Sequence, residues 1–122
     1  MRHLYKYYTD IAFTSAFDLA REIESAINYD SNHLVCFESM DNGKSFMMCF
    51  EKYEASLIKR SGYVSMTVLV KETSERLEVT VFSFGEYHDK LFAPQKTFIG
   101  IVNGILSKYG FKHEVRNEPH QL

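Results

Sequence analysis

The sequence predicts an α+β domain of two layers, an antiparallel sheet of about five strands with two helices on one face. Three observations predict it. Apolar stripes of helical period mark a helix at about residues 15–28 and a second running from Ala93-Pro94 to Gly110. Between them, two runs alternate apolar and polar residues at strand period, each broken by turn residues. Phe and Tyr number ten and eight in a 122-residue chain without Trp, and these residues favour half-buried sheet surfaces.

The elements follow in order. Residues 3–9 (HLYKYYT) alternate weakly and predict a first strand. Ser15 is placed to cap the first helix, with Asp18 three residues on as its capping-box partner. Ala16, Leu19, Ala20, Ile23, Ala26 and Ile27 form one apolar face, and Asn28 to Asn32 end the helix. Asn42-Gly43 then sits between alternating runs. A two-residue turn there needs positive φ at both positions, and it sets Met40 against Ser45, Glu38 against Met47 and Cys36 against Cys49. A second hairpin, with its turn centred on Thr73-Ser74, sets Val70 against Leu77, Val68 against Val79 and Met66 against Val81. In the last helix Phe98, Ile101, Val102, Ile105 and Tyr109 form the stripe, Pro94 suits the first turn and Gly110 the stop. Gly100 and Gly104 share one side of it, which predicts close approach of another backbone to offset about 1 kcal/mol each. Residues 111–116 are a candidate short strand and 117–122 a polar tail; we find one domain, 1–122, without repeats or linkers.

Two helices with one apolar stripe each must share a sheet face. Alternation puts Val35, Phe37, Phe46, Met48 and Phe50 on that face with the aliphatic side of the second hairpin. The other face then shows Leu34, Cys36, Glu38, Met40, Ser45, Met47, Cys49 and Glu51, beside Thr67, Leu69, Thr80, Phe82 and Phe84. A one-sided sheet ordinarily shows polar residues to water. This mixture instead predicts a contact surface of Met40, Met47, Leu69, Phe82 and Phe84, and the partner it suggests is a second copy of the chain.

Candidate chemistry is sparse. Two cysteines do not make a zinc site, and no His stands at a short fixed spacing from either, so no metal or other cofactor is expected. Directly opposed across a hairpin they lie within bridging range, yet a cytosolic thiol pool keeps such pairs reduced, so free, partly buried thiols are expected. The loop Gly85 to Phe92 crowds Glu86, Tyr87, His88 and Asp89, the residue types of a general base and its orienting carboxylate. Adjacent residues in an extended segment point apart, and a solvated loop explains the same letters. His3, His33, His113 and His120 share no spacing, and no nucleophile-elbow, phosphate-loop or Cys-x-x-Cys pattern occurs. No catalytic residues are therefore named, and the chain is expected not to be an enzyme. Lys59-Arg60 is a small basic point. A net charge of −2 argues against nucleic-acid partners, as does the lack of Lys or Arg interleaved with Phe82 and Phe84. The N-terminal MRHLYKYYTD lacks a signal-peptide core, and Phe98 to Leu106 is far shorter than the roughly 20 residues of a membrane span. The expectation is a soluble cytoplasmic protein without a membrane partner.

The strand–helix–four strands–helix order over residues 3–110 resembles the helix-grip and TATA-binding-protein-like architectures, in which a curved antiparallel sheet wraps a C-terminal helix. The chain also resembles small uncharacterised bacterial proteins of the domain-of-unknown-function kind. The likeness is one of layout, without a sequence motif, and it implies a fold and no activity. Two functional classes follow. The first is a non-enzymatic self-associating or protein-interaction domain. The second is a binder of a small apolar ligand, held between the sheet and the last helix by Phe98, Ile105 and Tyr109.

Overall fold

A computed structural model describes residues 2–10, 14–28, 33–55, 61–86 and 98–114. Its elements are β1 (Arg2–Thr9), α1 (Ala16–Ile27), β2 (Leu34–Met40), β3 (Ser45–Ala55), β4 (Ser61–Glu72), β5 (Leu77–Glu86), α2 (Phe98–Lys108) and β6 (Lys112–Glu114). The strands form one antiparallel sheet in the order β2-β3-β4-β5-β1-β6. The meander β2 to β5 is local in sequence, whereas β1 joins it by pairing Leu4 with Phe82 and Tyr7 with Val79. The sheet thus has six strands, because the segment after Gly110 lays Lys112–Glu114 along β1.

Both helices contribute to one core. Leu19, Ala20 and Ile23 of α1 and Val102 and Leu106 of α2 are buried with Met48, Phe50, Met66, Val68, Val70, Leu77, Val79 and Val81 of the sheet. Polar groups anchor α1 at both ends. The Ser15 hydroxyl accepts from the Asp18 N–H at 3.1 Å, as the cap pattern predicts. Glu72, at the end of β4, adds a carboxylate that accepts from the Ala16 N–H at 3.0 Å. At the other end the Asn28 side-chain oxygen accepts from the His33 and Leu34 N–H groups at 2.8 and 3.2 Å, tying the helix end to the start of β2. Helix α2 stops at Gly110, whose φ of 75° only glycine adopts cheaply. There the Gly110 N–H meets the Ser107 carbonyl and the Phe111 N–H the Leu106 carbonyl, a Schellman motif. Lys108 and the Tyr109 hydroxyl both reach the Glu22 carboxylate and clasp the two helices together.

Several details differ from the sequence reading. The first hairpin keeps its register, with Cys36 opposite Cys49 and Met40 opposite Ser45, but its loop holds four residues. Asp41 joins Asn42 and Gly43 at positive φ, held by the Ser45 hydroxyl donating to its carboxylate at 2.7 Å. The Lys44 carbonyl accepts instead from the Glu72 N–H. Ser45 is accordingly buried. A bulge between Leu34 and Cys36 pairs Leu34 with Phe50, so Leu34 packs on the core and Val35 is 59% exposed, the reverse of simple alternation. The second hairpin pairs Val70 with Val79 and Val68 with Val81, two residues from the expected register. Thr73 is the cause. Its N–H and hydroxyl both donate to the Arg76 carbonyl, and its oxygen accepts from the Glu75 and Arg76 N–H groups, centring the turn on Ser74-Glu75. A slip of two leaves every side chain on its face. In α2 the buried line is Phe98, Val102 and Leu106, with Ile101, Ile105 and Tyr109 on its flank. Gly104 is exposed with open space where a Cβ would stand, so no backbone among the described residues approaches it.

Candidate functional site: the uncovered sheet face

With both helices on one side, the pairing registers arrange the opposite side in transverse rows. One row runs Cys36, Cys49, Thr67, Phe82, Leu4 across β2, β3, β4, β5 and β1. The next runs Glu38, Met47, Leu69, Thr80, Lys6 in the same strand order. Beyond it lie Met40, Ser45, Lys71, Glu78, Tyr8 and Lys112, and on the other side Glu51, Ser65 and Phe84. Directly opposed side chains are about 5 Å apart at Cβ, so each row is a continuous strip. Cys36, Met47, Cys49, Leu69, Phe82 and Leu4 are half-buried, and Met40 and Phe84 are 37% and 40% exposed.

The structure therefore brings Met47, Leu69 and Phe82 together, with Phe84 and Met40 at opposite ends of the patch. Leu4 and Lys6 belong to the face too. Sequence alternation in β1 is weak, and only the pairing of β1 with β5 reveals them. Charge is unevenly spread. Glu38 and Glu51 are exposed on the β2–β3 side, and Lys6 and Lys112 on the β1–β6 side. At one end Arg76 lies 4.8 Å from the Tyr8 ring and ion-pairs with Glu78 at 2.8 Å.

The two cysteines are free. The Cys49 sulfur lies 3.7 Å from the Thr67 hydroxyl. Burial raises the Cys36 pKa, and the neighbouring Cys49 thiol and Glu38 carboxylate raise it further, so Cys36 is held as a thiol. Three histidines serve as ring partners on the other face or its margin: His3 stacks on Tyr5, His33 meets Phe98 edge-on and His113 packs against Tyr7. Burial, with Tyr5 adding to it, pushes the Tyr7 pKa up to about 12, which keeps that hydroxyl neutral. Among the described residues no three His, Cys, Asp or Glu side chains gather to hold a metal ion. No described helix is long and apolar enough to cross a membrane.

No family model, curated protein or solved structure matches the chain.

The residues named for an apolar ligand all lie on the core side of α2. Phe98 is 4% exposed and packs against Phe50 and His33, Ile105 is half-buried, and the Tyr109 hydroxyl is engaged by Glu22. His88, Asp89, Tyr87, Lys59, Arg60 and His120, and with them the polar tail and the Ala93-Pro94 helix start, lie outside the described residues.

Proposed function

We propose that this chain is a non-enzymatic domain that pairs with a second copy of itself through the uncovered sheet face. One observation carries the reading: two adjacent rows place Cys36, Cys49, Phe82, Leu4, Met47 and Leu69 in one apolar strip that no described helix covers. Patches of this kind mark contact surfaces more often than idle ones.

The distribution of charge supports a copy of the same chain as the occupant. A two-fold axis parallel to β4, between two stacked faces, sets the β2 side of one copy over the β1 side of the other. Glu38 then faces Lys6, Cys49 faces Phe82, Cys36 faces Leu4, and Leu69 lies near its own mate. Within the two central rows the one carboxylate meets the one lysine and both cysteines meet apolar groups, while Met47 meets Thr80. Five strands and four rows span about 24 by 27 Å, on the order of 650 Å² per copy. That is at the lower end of stable interfaces, so a weak dimer with micromolar dissociation is expected.

Sedimentation equilibrium over about 1–100 μM tests this. The wild type should move from monomer to dimer, and Phe82→Glu, which puts a charge at the centre of the contact, should stay monomeric with an unchanged circular-dichroism spectrum. A wild type that remains monomeric throughout, or a Phe82→Glu variant that dimerises as well as the wild type, overturns the proposal.

A further inference from the structure

Cys36 and Cys49 are the chain's two cysteines, and the fold sets them directly opposite one another. The register alone makes the pair unusual. The Glu51 N–H donates to the His33 carbonyl on the β2 side and the Glu72 N–H to the Lys44 carbonyl on the β4 side. The odd-numbered residues of β3 therefore turn their backbone toward β2, and the pair occupies a hydrogen-bonded site. Opposed Cα atoms at such sites are about 5.5 Å apart, inside the range a disulfide spans. Both thiols lie on the uncovered face and are partly exposed, so a small reagent reaches them from one side.

The surroundings also let Cys36 move. β2 stands at the end of the strand order, with β3 as its one sheet neighbour among the described residues. The bulge at Val35 immediately precedes Cys36 and leaves one residue of β2 out of register. A bulge loosens the ladder at that point, so Cys36 can shift toward β3 without dragging a second strand. Cys49, by contrast, is fixed between β2 and β4, where the Thr67 hydroxyl contacts its sulfur.

We propose that Cys36 and Cys49 form a reversible dithiol–disulfide site, closed by exchange with a low-molecular-weight disulfide such as oxidised glutathione. In the first step one cysteine thiolate attacks a glutathione sulfur. The glutathione S–S bond breaks, one glutathione leaves as thiolate, and a mixed disulfide remains on the protein. The second cysteine, after losing its proton, attacks the protein-side sulfur, forms the Cys36–Cys49 bond and releases the second glutathione. The protein loses two protons and two electrons, and the reagent gains both as two thiols. In a reducing pool the site rests as two thiols, the state of the structure.

This inference is independent of self-association, because the bond forms within one chain. The test equilibrates folded wild type and Phe82→Glu with a series of oxidised-to-reduced glutathione ratios, quenches with an alkylating agent and reads intact mass and peptide maps. The expected product has lost two hydrogens, carries no glutathione, joins the Cys36 and Cys49 peptides and reverts in excess reduced glutathione. Cys49→Ser under the same conditions should stop at a mixed disulfide on Cys36. A bridge in either protein supports the site, and one seen only in Phe82→Glu also shows that self-association shields it. If both proteins end as glutathione adducts, as chains linked to one another or as free thiols at the most oxidising ratio, the proposal is wrong.

Discussion

Replacing Glu72 tests whether the sheet positions the first helix through a single carboxylate. Glu72 closes β4, and its Oε1 accepts from the Ala16 N–H at 3.0 Å. Ala16 is 1% exposed and opens α1, so its N–H is one of the donors that no helical carbonyl can satisfy. A hydrogen bond to a charged acceptor is worth about 1.5–3 kcal/mol, and a charge at a helix N-terminus about 0.3–1 kcal/mol. Glu72 is partly exposed, which screens its charge and brings the expected loss for Glu72→Ala to about 1–2 kcal/mol. In a chain of this length that lowers Tm by about 5 °C. Glu72→Gln keeps an acceptor and drops the charge, so it should lose only about 0.5 kcal/mol. Urea unfolding followed by circular dichroism separates the two. A Glu72→Ala variant within about 0.3 kcal/mol of wild type would show that water replaces the carboxylate at no loss. Equal losses for Ala and Gln would show that charge alone matters.

Two further predictions concern the helices. Burial raises the Glu22 pKa, but hydrogen bonds from Lys108 and Tyr109 and the Lys108 charge outweigh it and leave the value lowered. A lowered folded value means the unfolded chain binds the extra proton, so the clasp stabilises above the ordinary carboxylate range and is lost as pH falls through the folded value. Lys108 is raised mainly by the Glu22 hydrogen bond, with burial opposing, and Tyr109 is raised by that hydrogen bond and by burial. Their contribution is full below their ordinary values and fades as pH rises through the raised ones. Glu22→Gln should therefore flatten the acid limb of a stability–pH curve, an effect within about 1 kcal/mol because the clasp is partly exposed. In α2, Leu106→Ala should lose about 2–5 kcal/mol in urea unfolding and Ile105→Ala clearly less, since Leu106 is 1% exposed and Ile105 lies at the flank; equal losses would contradict the observed rotation of the helix.

The sequence carried the layer arrangement because periodicity reports which side of an element is dry. Ala16, Leu19, Ala20, Ile23 and Ile27 are buried as their spacing demands, and so are Phe46, Met48 and Phe50. Local chemistry that overrides periodicity was less legible. The Val35 bulge follows from no residue type, and it exchanges the sides of Leu34 and Val35. The Thr73 hydroxyl moves the second turn by one residue, a side-chain effect that apolar alternation cannot register. In α2 the letters FIGIVNGIL are apolar nearly all round, so the stripe could be drawn through Ile105 or through Leu106, and only packing chooses Leu106. Met40, Met47, Leu69, Phe82 and Phe84 were assigned to one face, and the registers place them there. The addition of Leu4 and Lys6 depended on β1 crossing to β5, a long-range pairing that no local pattern encodes.

The proposed self-association and the proposed dithiol site would make opposite demands on the same face, and the registers leave room for both. Stacking relies on Phe82, Leu69 and Met47, which belong to β3, β4 and β5 at the middle of the sheet. The bridge engages Cys36, on the outermost strand, and moves β2 against β3. Oxidation therefore changes the margin of the face and leaves its centre in place, so it adjusts how well Cys36 and Glu38 seat against Leu4 and Lys6 of a partner copy without removing the apolar strip. Conversely, a copy stacked as proposed would cover both sulfurs, and exchange would pass through the separated chain. Linkage makes these two statements one: whatever the bridge does to the affinity of the pair, pairing does to the stability of the bridge by the same factor.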